Sequence, residues 1–230
     1  MTRPEYRNKQ GITTLLFDMD NTLFDLVGAQ LASCHVVSRF LGMDEGDLLF
    51  DYFLRPTRGF ESHENILDYM TDRSIEPDGQ YREACRLYET EKLRHIIPYP
   101  GVKDTLEMLR KSGYPMGIVT DAHSKDATIR LEKVGLLPFF CGMVSYDVVG
   151  VKKPAPDPFL FALEMMQAKN HEALLVGDSP RRDIEPCRNL GICSVYARYG
   201  DRLSDDRSEF EADFTLDSMD ELPGILASLS

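Results

Sequence analysis

Basic residues are scarce in this chain: 26 Lys and Arg stand against 38 Asp and Glu, giving a net charge of −12 over 230 residues. No run of Lys or Arg makes a stripe on which a nucleic-acid backbone would lie, so nucleic acid is not expected as a partner. A protein this acidic that handles an anion must create positive potential locally, from a metal ion, a lysine or a helix N-terminus. The five cysteines, Cys34, Cys85, Cys141, Cys187 and Cys193, form no CxxC pair and no Cys/His cluster, and they fit a reduced, cytoplasmic setting. Nowhere do about eighteen apolar residues run together, and the polar first ten residues have no apolar stretch behind them. Neither a membrane span nor an export signal is therefore expected. Repeats and low-complexity segments are absent, and no linker or tail suggests a protein partner, so a monomer or weak dimer is expected.

Against these absences, residues 15–24 stand out: Leu-Leu-Phe-Asp-Met-Asp-Asn-Thr-Leu-Phe. The apolar run at 12–17 has the length and composition of a strand buried on both faces, as in a parallel sheet. Asp18 follows at its carboxyl end, where open α/β sheets bind ligands. If the chain stays extended, Asp18 and Asp20 project the same way and Met19 the other. Two carboxylates that close repel unless a cation or a shared proton relieves them. An acidic turn after a strand would give the same letters, so the rest of the chain must decide.

Residues 25–96 show apolar spacing of helical period and no convincing strand. Helices are predicted at about 26–41, 45–53, 62–71 and 78–95, punctuated by Gly42, Pro56, Gly59 and Pro77. The stretch Ile97-Pro98-Tyr99-Pro100-Gly101 suits a stiff return linker. Beyond it helix and strand patterns alternate. Strands are predicted near 116–119, 143–145, 173–176 and 194–196, and helices near 102–111, 124–134, 157–167, 181–190 and 219–229. Such alternation implies right-handed βαβ units. The expected fold is α/β: a doubly wound, Rossmann-like parallel-sheet core (1–24 and 97–230) with an inserted all-helical cap (25–96). That cap is expected to sit over the carboxyl edge of the sheet as a lid.

Three more places lie at or just after predicted strands. Thr120-Asp121 follows Gly117-Ile118-Val119, where a hydroxyl can donate to a phosphoryl oxygen or merely cap the next helix. Lys152-Lys153-Pro154 places a lysine before proline, which keeps it out of helical geometry. Gly177-Asp178-Ser179-Pro180-Arg181-Arg182-Asp183 ends an apolar run in one acid and supplies a second at a helix start, where it can also favour the dipole. Each signal is weak alone. Their order, Asp-x-Asp, Thr, Lys-Pro and Gly-Asp-x-x-x-x-Asp on successive strand ends, is specific, and with it the chain resembles the haloacid dehalogenase-like hydrolase superfamily.

The resemblance implies a magnesium-dependent phosphomonoesterase for a small phosphorylated metabolite, such as a nucleotide, a sugar phosphate or a phosphoglycolate-like ester. It makes Asp18 the nucleophile that forms an aspartyl-phosphate and Asp20 the acid and base. Thr120, Asp121 and Lys153 are matched to phosphate binding, Thr120 as hydrogen-bond donor and Lys153 as the neutralising cation. Magnesium would be held by Asp18, the main-chain carbonyl of Asp20 and Asp178, with Asp183 a further ligand or support. Two departures from the commonest pattern are Asp121, where asparagine is frequent, and Asn21-Thr22 in place of Gly-Thr. A phosphomutase would use the same residues, and a silent metabolite-binding module would share the fold. A dehalogenase would not call for Asp20. In the cap, Arg55, Arg58 and His63 are candidates for a substrate anion, though each can also be a solvated helix-end charge, and His123, just after the second motif, is a further candidate.

Overall fold

The structure, a computed structural model, describes residues 11–203 and 211–229. These fall into two compact units, Met1–Asp25 with Pro98–Ser230, and Leu26–Ile97.

The first unit is built on a six-stranded sheet, β1 (Thr14–Phe17), β2 (Met116–Val119), β3 (Gly142–Val144), β4 (Ala173–Gly177), β5 (Cys193–Ala197) and β6 (Phe214–Leu216). Every neighbouring pair is parallel, in the order β3-β2-β1-β4-β5-β6. This is the expected doubly wound, Rossmann-like arrangement. Strand order reverses between β1 and β4, and such a reversal opens a crevice outside the carboxyl ends of the strands. β1, β2 and β4 are buried along their whole length, which is why their sequences are continuous apolar runs without alternation. One face packs Leu16, Val119 and Leu175 against Phe159, Ala162 and Leu163.

The second unit holds α1 (Leu26–Phe40), α2 (Gly46–Leu54), α3 (Glu64–Asp72) and α4 (Gln80–His95). Its core joins Cys34, Val37, Leu49, Phe53, Tyr69 and Tyr88, with Phe53 stacked on Tyr88 at 4.8 Å. The remaining helices belong to the first unit: α5 (Val102–Lys111), α6 (Ser124–Lys133), α7 (Tyr146–Val149), α8 (Asp157–Met165), α9 (Glu185–Leu190) and α10 (Leu222–Ser228). Pro158 in the first turn of α8 suits a position whose N–H needs no helical partner, and Asp157 beside it favours the positive end of the helix.

Local expectations differ from the structure at several points, among them the short helix α7, which was not anticipated and stands between β3 and Lys153, so that Lys153 does not lie at a strand end. The helix predicted at 181–190 begins instead as a wide π-type turn, Pro180–Ile184, because Asp183 folds back to accept the Ser179 N–H at 3.1 Å. Such turns recur at functional sites. The predicted 219–229 helix opens with a 3-10 turn, Met219–Glu221, before α10. β6 was not anticipated: it is an edge strand of three residues of which only Leu216 is buried, too short and too polar to carry a pattern.

Candidate active site

The ends of β1, β2 and β4 converge because β1 lies between the other two in the sheet. Strand pairing continues one residue past β1, the Asp18 N–H donating to Val176 O at 2.9 Å. The backbone then leaves the extended path. Leu23 N–H donates back to Met19 O at 2.9 Å, and Asn21 takes a positive φ of 63°, a region asparagine tolerates better than most residues. Asp18 and Asp20 consequently find different partners.

Lys153 Nζ lies 2.6 Å from Asp18 Oδ1 and 2.6 Å from Asp183 Oδ1, and it also donates to Val119 O at 3.2 Å. All three side chains are buried, and Asp178 is buried beside them. Thr22 Oγ1 sits 3.2 Å from Asp18 Oδ2 and 3.4 Å from Asp178 Oδ1, so its single proton serves both carboxylates. Ligand oxygens of Asp18, Asp178 and Asp183 all fall within 4.8 Å of one another.

The electrostatics follow from this crowding. Burial would raise the Asp18 carboxyl, but the Lys153 ammonium and the Arg182 guanidinium override it and hold Asp18 below the ordinary carboxylate range. Burial pushes Asp178 well above that range, and the charges of Asp18 and Asp183 push further. Asp183 is also raised, by burial first, despite its bond to Lys153. Lys153 moves the other way: burial disfavours its charge, yet Asp18, Asp183 and Asp121 together raise its pKa above the usual lysine value. An excess of buried negative charge, presented entirely by oxygen donors, suits a hard divalent cation such as magnesium.

Two glycines make the geometry possible. A Cβ on Gly177 would meet the Asp183 side chain at 2.6 Å, so only glycine lets the turn at Asp183 close over the end of β4. A Cβ on Gly200 would lie 1.7 Å from Asn21 O, so the segment after β5 can brace the Asn21-Thr22 loop only without a side chain there. Next to it, the Tyr199 hydroxyl donates to Thr22 O at 2.7 Å.

The remaining predicted residues surround this cluster. Thr120 is buried, and its Oγ1 accepts the Ala122 N–H at 3.1 Å, which leaves its own proton to be donated elsewhere. Asp121 supports the lysine loop: Oδ1 accepts the Lys153 backbone N–H at 2.9 Å and Oδ2 lies 3.4 Å from Arg182 Nη1. Both oxygens of Asp20 are engaged by Arg130 Nη1, at 3.0 and 2.9 Å. The other candidates pair locally. Arg55 lies over the Tyr52 ring at 3.4 Å and Arg58 bonds Asp68 and Glu64. His63 bonds Glu89 at 2.8 Å, and His123 lies edge-on to Tyr146.

Sequence reading missed Arg130, Arg182 and Thr22. Arg130 carried a usable signal. It shares a helical stripe with Ala127 and Leu131 and is itself buried, and arginine on an apolar face implies a specific anionic partner. Arg182 and Thr22 sit inside stretches already singled out, but nothing in one dimension says what they touch.

The sequence from residue 15 to 197 matches the model of a family described as haloacid dehalogenase-like hydrolase. A phosphoglycolate phosphatase of Vibrio parahaemolyticus is 36% identical over 95% of this chain and 98% of its own length. A glyceraldehyde 3-phosphate phosphatase of Pyrococcus furiosus is 29% identical over 94% of this chain and 93% of its own. Among solved structures, the HAD-hydrolase YfnB of Bacillus subtilis, described as bound to magnesium, superimposes with a TM-score of 0.76 at 20% identity, covering 94% of this chain and 99% of that one.

Proposed function

The chain belongs to the haloacid dehalogenase-like hydrolase family, and we propose that within it the protein is a magnesium-dependent phosphomonoesterase that cleaves a small phosphorylated metabolite through an aspartyl-phosphate. The observation that carries this reading is the buried Lys153 ammonium, shared at 2.6 Å between Asp18 and Asp183. It keeps Asp18 ionised, hence nucleophilic, and adds positive charge where the transferring phosphoryl group must be stabilised.

In the first half-reaction an Asp18 oxygen attacks phosphorus. The new O–P bond forms as the bond to the leaving oxygen breaks, and that oxygen takes a proton from Asp20. In the second, water attacks the acyl phosphate and gives its proton to Asp20. The Asp18 O–P bond breaks, inorganic phosphate leaves and the Asp18 carboxylate is restored. Thr120 has a free hydroxyl proton for a phosphoryl oxygen, and the Lys153 ammonium offsets charge on the transferring group. Asp121 acts on the lysine loop and on Arg182, which is a positioning role in this reading. Asp18 and Asp178, together with the main-chain carbonyl of Asp20, would hold magnesium, with Asp183 bracing Lys153 beside them. The ion would supply charge neutralisation for the phosphoryl oxygens and for the crowded carboxylates. The helical unit Leu26–Ile97 is read as the cap of such an enzyme, and substrate choice is assigned to it.

Two curated relatives suggest phosphoglycolate and glyceraldehyde 3-phosphate as first substrates to try. The test is phosphate release from these, from nucleotides and sugar phosphates, and from an aryl phosphate, with magnesium and with chelator, using Asp18→Asn as the blank. Magnesium-dependent release absent from the blank is expected. Isomerised phosphate ester without net phosphate release would instead identify a phosphomutase.

A further inference from the structure

Arg130 is buried in α6, 4% exposed, and a single nitrogen of its guanidinium donates to both oxygens of Asp20. Asp20 lies past the end of β1, on a loop that turns back through an isolated bridge to Phe24. Arg130, by contrast, is anchored on a helix whose Ala127 and Leu131 are fully buried. An anchored donor touching both oxygens holds the direction of the carboxylate it meets. The isolated charge of a buried arginine is costly, and the pairing with Asp20 offsets part of that cost.

We propose that Arg130 is a positioning residue for the acid–base carboxylate, holding Asp20 where it can take the proton of the water that hydrolyses the Asp18 acyl phosphate. The proposal rests on the phosphatase reading above, with Asp20 in its acid–base role. No bond from Arg130 to Asp18 is among the hydrogen bonds described, and the scheme gives Arg130 no phosphoryl contact, so its loss should leave formation of the acyl phosphate largely intact when the leaving group needs no acid. Breakdown should slow, because water then meets a misplaced base, and misplacement on the order of 1 Å can cost about a hundredfold.

The experiment compares wild type, Arg130→Met, Arg130→Gln and Asp20→Asn with 2,4-dinitrophenyl phosphate, whose phenolate leaves without protonation. For Arg130→Met, kcat is expected to fall about 10- to 100-fold while kcat/KM stays within about threefold. A pre-steady-state burst of phenolate should approach one per enzyme, and acid quench should trap the phosphorylated protein. Asp20→Asn is expected to give the same burst. Circular dichroism checks folding, and if the Met variant does not fold, Arg130→Gln, whose amide ends short of the Arg130 Nη1 position and so cannot hold both Asp20 oxygens, is read by the same criteria. A burst in Asp20→Asn with none in the folded Arg130 variants, kcat and kcat/KM falling together, overturns the positioning role and leaves the assignment of Asp20 standing. No burst in Asp20→Asn overturns that assignment, and the role of Arg130 with it.

Discussion

Lys153 Nζ lies 2.6 Å from Asp18 Oδ1 across 135 residues of sequence, and the same nitrogen lies 2.6 Å from Asp183 Oδ1. One ammonium therefore balances two buried carboxylates, while Asp178, the third of the cluster, has no bond to it among the hydrogen bonds described. Stability and chemistry are tied together at this point, and the tie can be cut experimentally.

Lys153→Met should lower kcat/KM by about 30- to 1000-fold, the equivalent of roughly 2–4 kcal/mol for one preorganised electrostatic group. It should also destabilise the fold, because Asp18 and Asp183 are left buried without their cation. Adding Asp183→Asn removes one of those charges and should recover much of the melting temperature without recovering turnover. Thermal unfolding and kinetics on both variants separate the two effects. Recovery of activity along with stability would show that Lys153 matters only to folding.

Asp178→Asn should stabilise the metal-free protein at pH 7. Burial and the charges of Asp18 and Asp183 raise the folded pKa of Asp178 well above its unfolded value. A raised acid costs stability at pH values above its unfolded pKa, and below that value, where both states are protonated, the cost vanishes. The melting-temperature gain of the variant should thus be largest near neutral pH and shrink as pH falls towards 4, at on the order of 2–4 °C per kcal/mol relieved. Magnesium should raise the melting temperature of the wild type and leave the variant unmoved. A variant less stable than wild type at pH 7 would contradict the charge crowding described for this site.

Gly200→Ala should disturb the nucleophile from outside the motif that contains it. The new methyl would lie 1.7 Å from Asn21 O, so the loop must move, and with it Thr22, which bonds Asp18 and Asp178. A stability loss of about 1–3 kcal/mol is expected, as for overpacking elsewhere. The drop in kcat should be tenfold or more, on the scale that small displacements of reacting groups produce. Wild-type kinetics would mean that the loop yields without displacing Asp18.

Glu89 gives a pH test confined to the helical unit. Burial would raise its pKa, but the His63 hydrogen bond and the Lys92 charge bring it down to about 2 from an ordinary value of 4.5. A depressed carboxylate contributes stability above its unfolded pKa and loses it as pH falls through the folded one. Wild type should therefore be more stable than Glu89→Gln at pH 6, and the gap should narrow between about pH 4.5 and 2. Because 45% of the Glu89 side-chain surface is exposed, the gap should be modest and salt-sensitive. A gap that widens in acid would reverse the sign assigned here.

Much of this architecture was legible in one dimension. Buried parallel strands announce themselves as apolar runs without alternation, and helices as periodic stripes, so the alternation from residue 102 onward could be read directly. Asp18, Thr120 and Asp178 could be singled out for the same reason, each standing where an apolar run stops, at Phe17-Asp18, Val119-Thr120 and Gly177-Asp178, whereas Lys153 and Asp183 stand in a loop and a turn further on. β6 escaped because an edge strand of three residues buries too little to leave a pattern. The turn at Pro180–Ile184 escaped because its shape depends on Asp183 closing onto the Ser179 N–H, a local bond that competes with regular helix.

By itself the sequence determined which chemical groups stand at the strand ends and in what order, because local hydrophobic patterning dictates where strands stop. Only the tertiary structure decided how those groups are partnered. Arg130 meets Asp20 across 110 residues, Lys153 binds two of three crowded carboxylates, and Gly200 clears space for Asn21. Such contacts depend on strand order and on the angle at which each helix returns to the sheet. Those are set by packing the whole apolar core at once, and no local stretch of sequence carries that information.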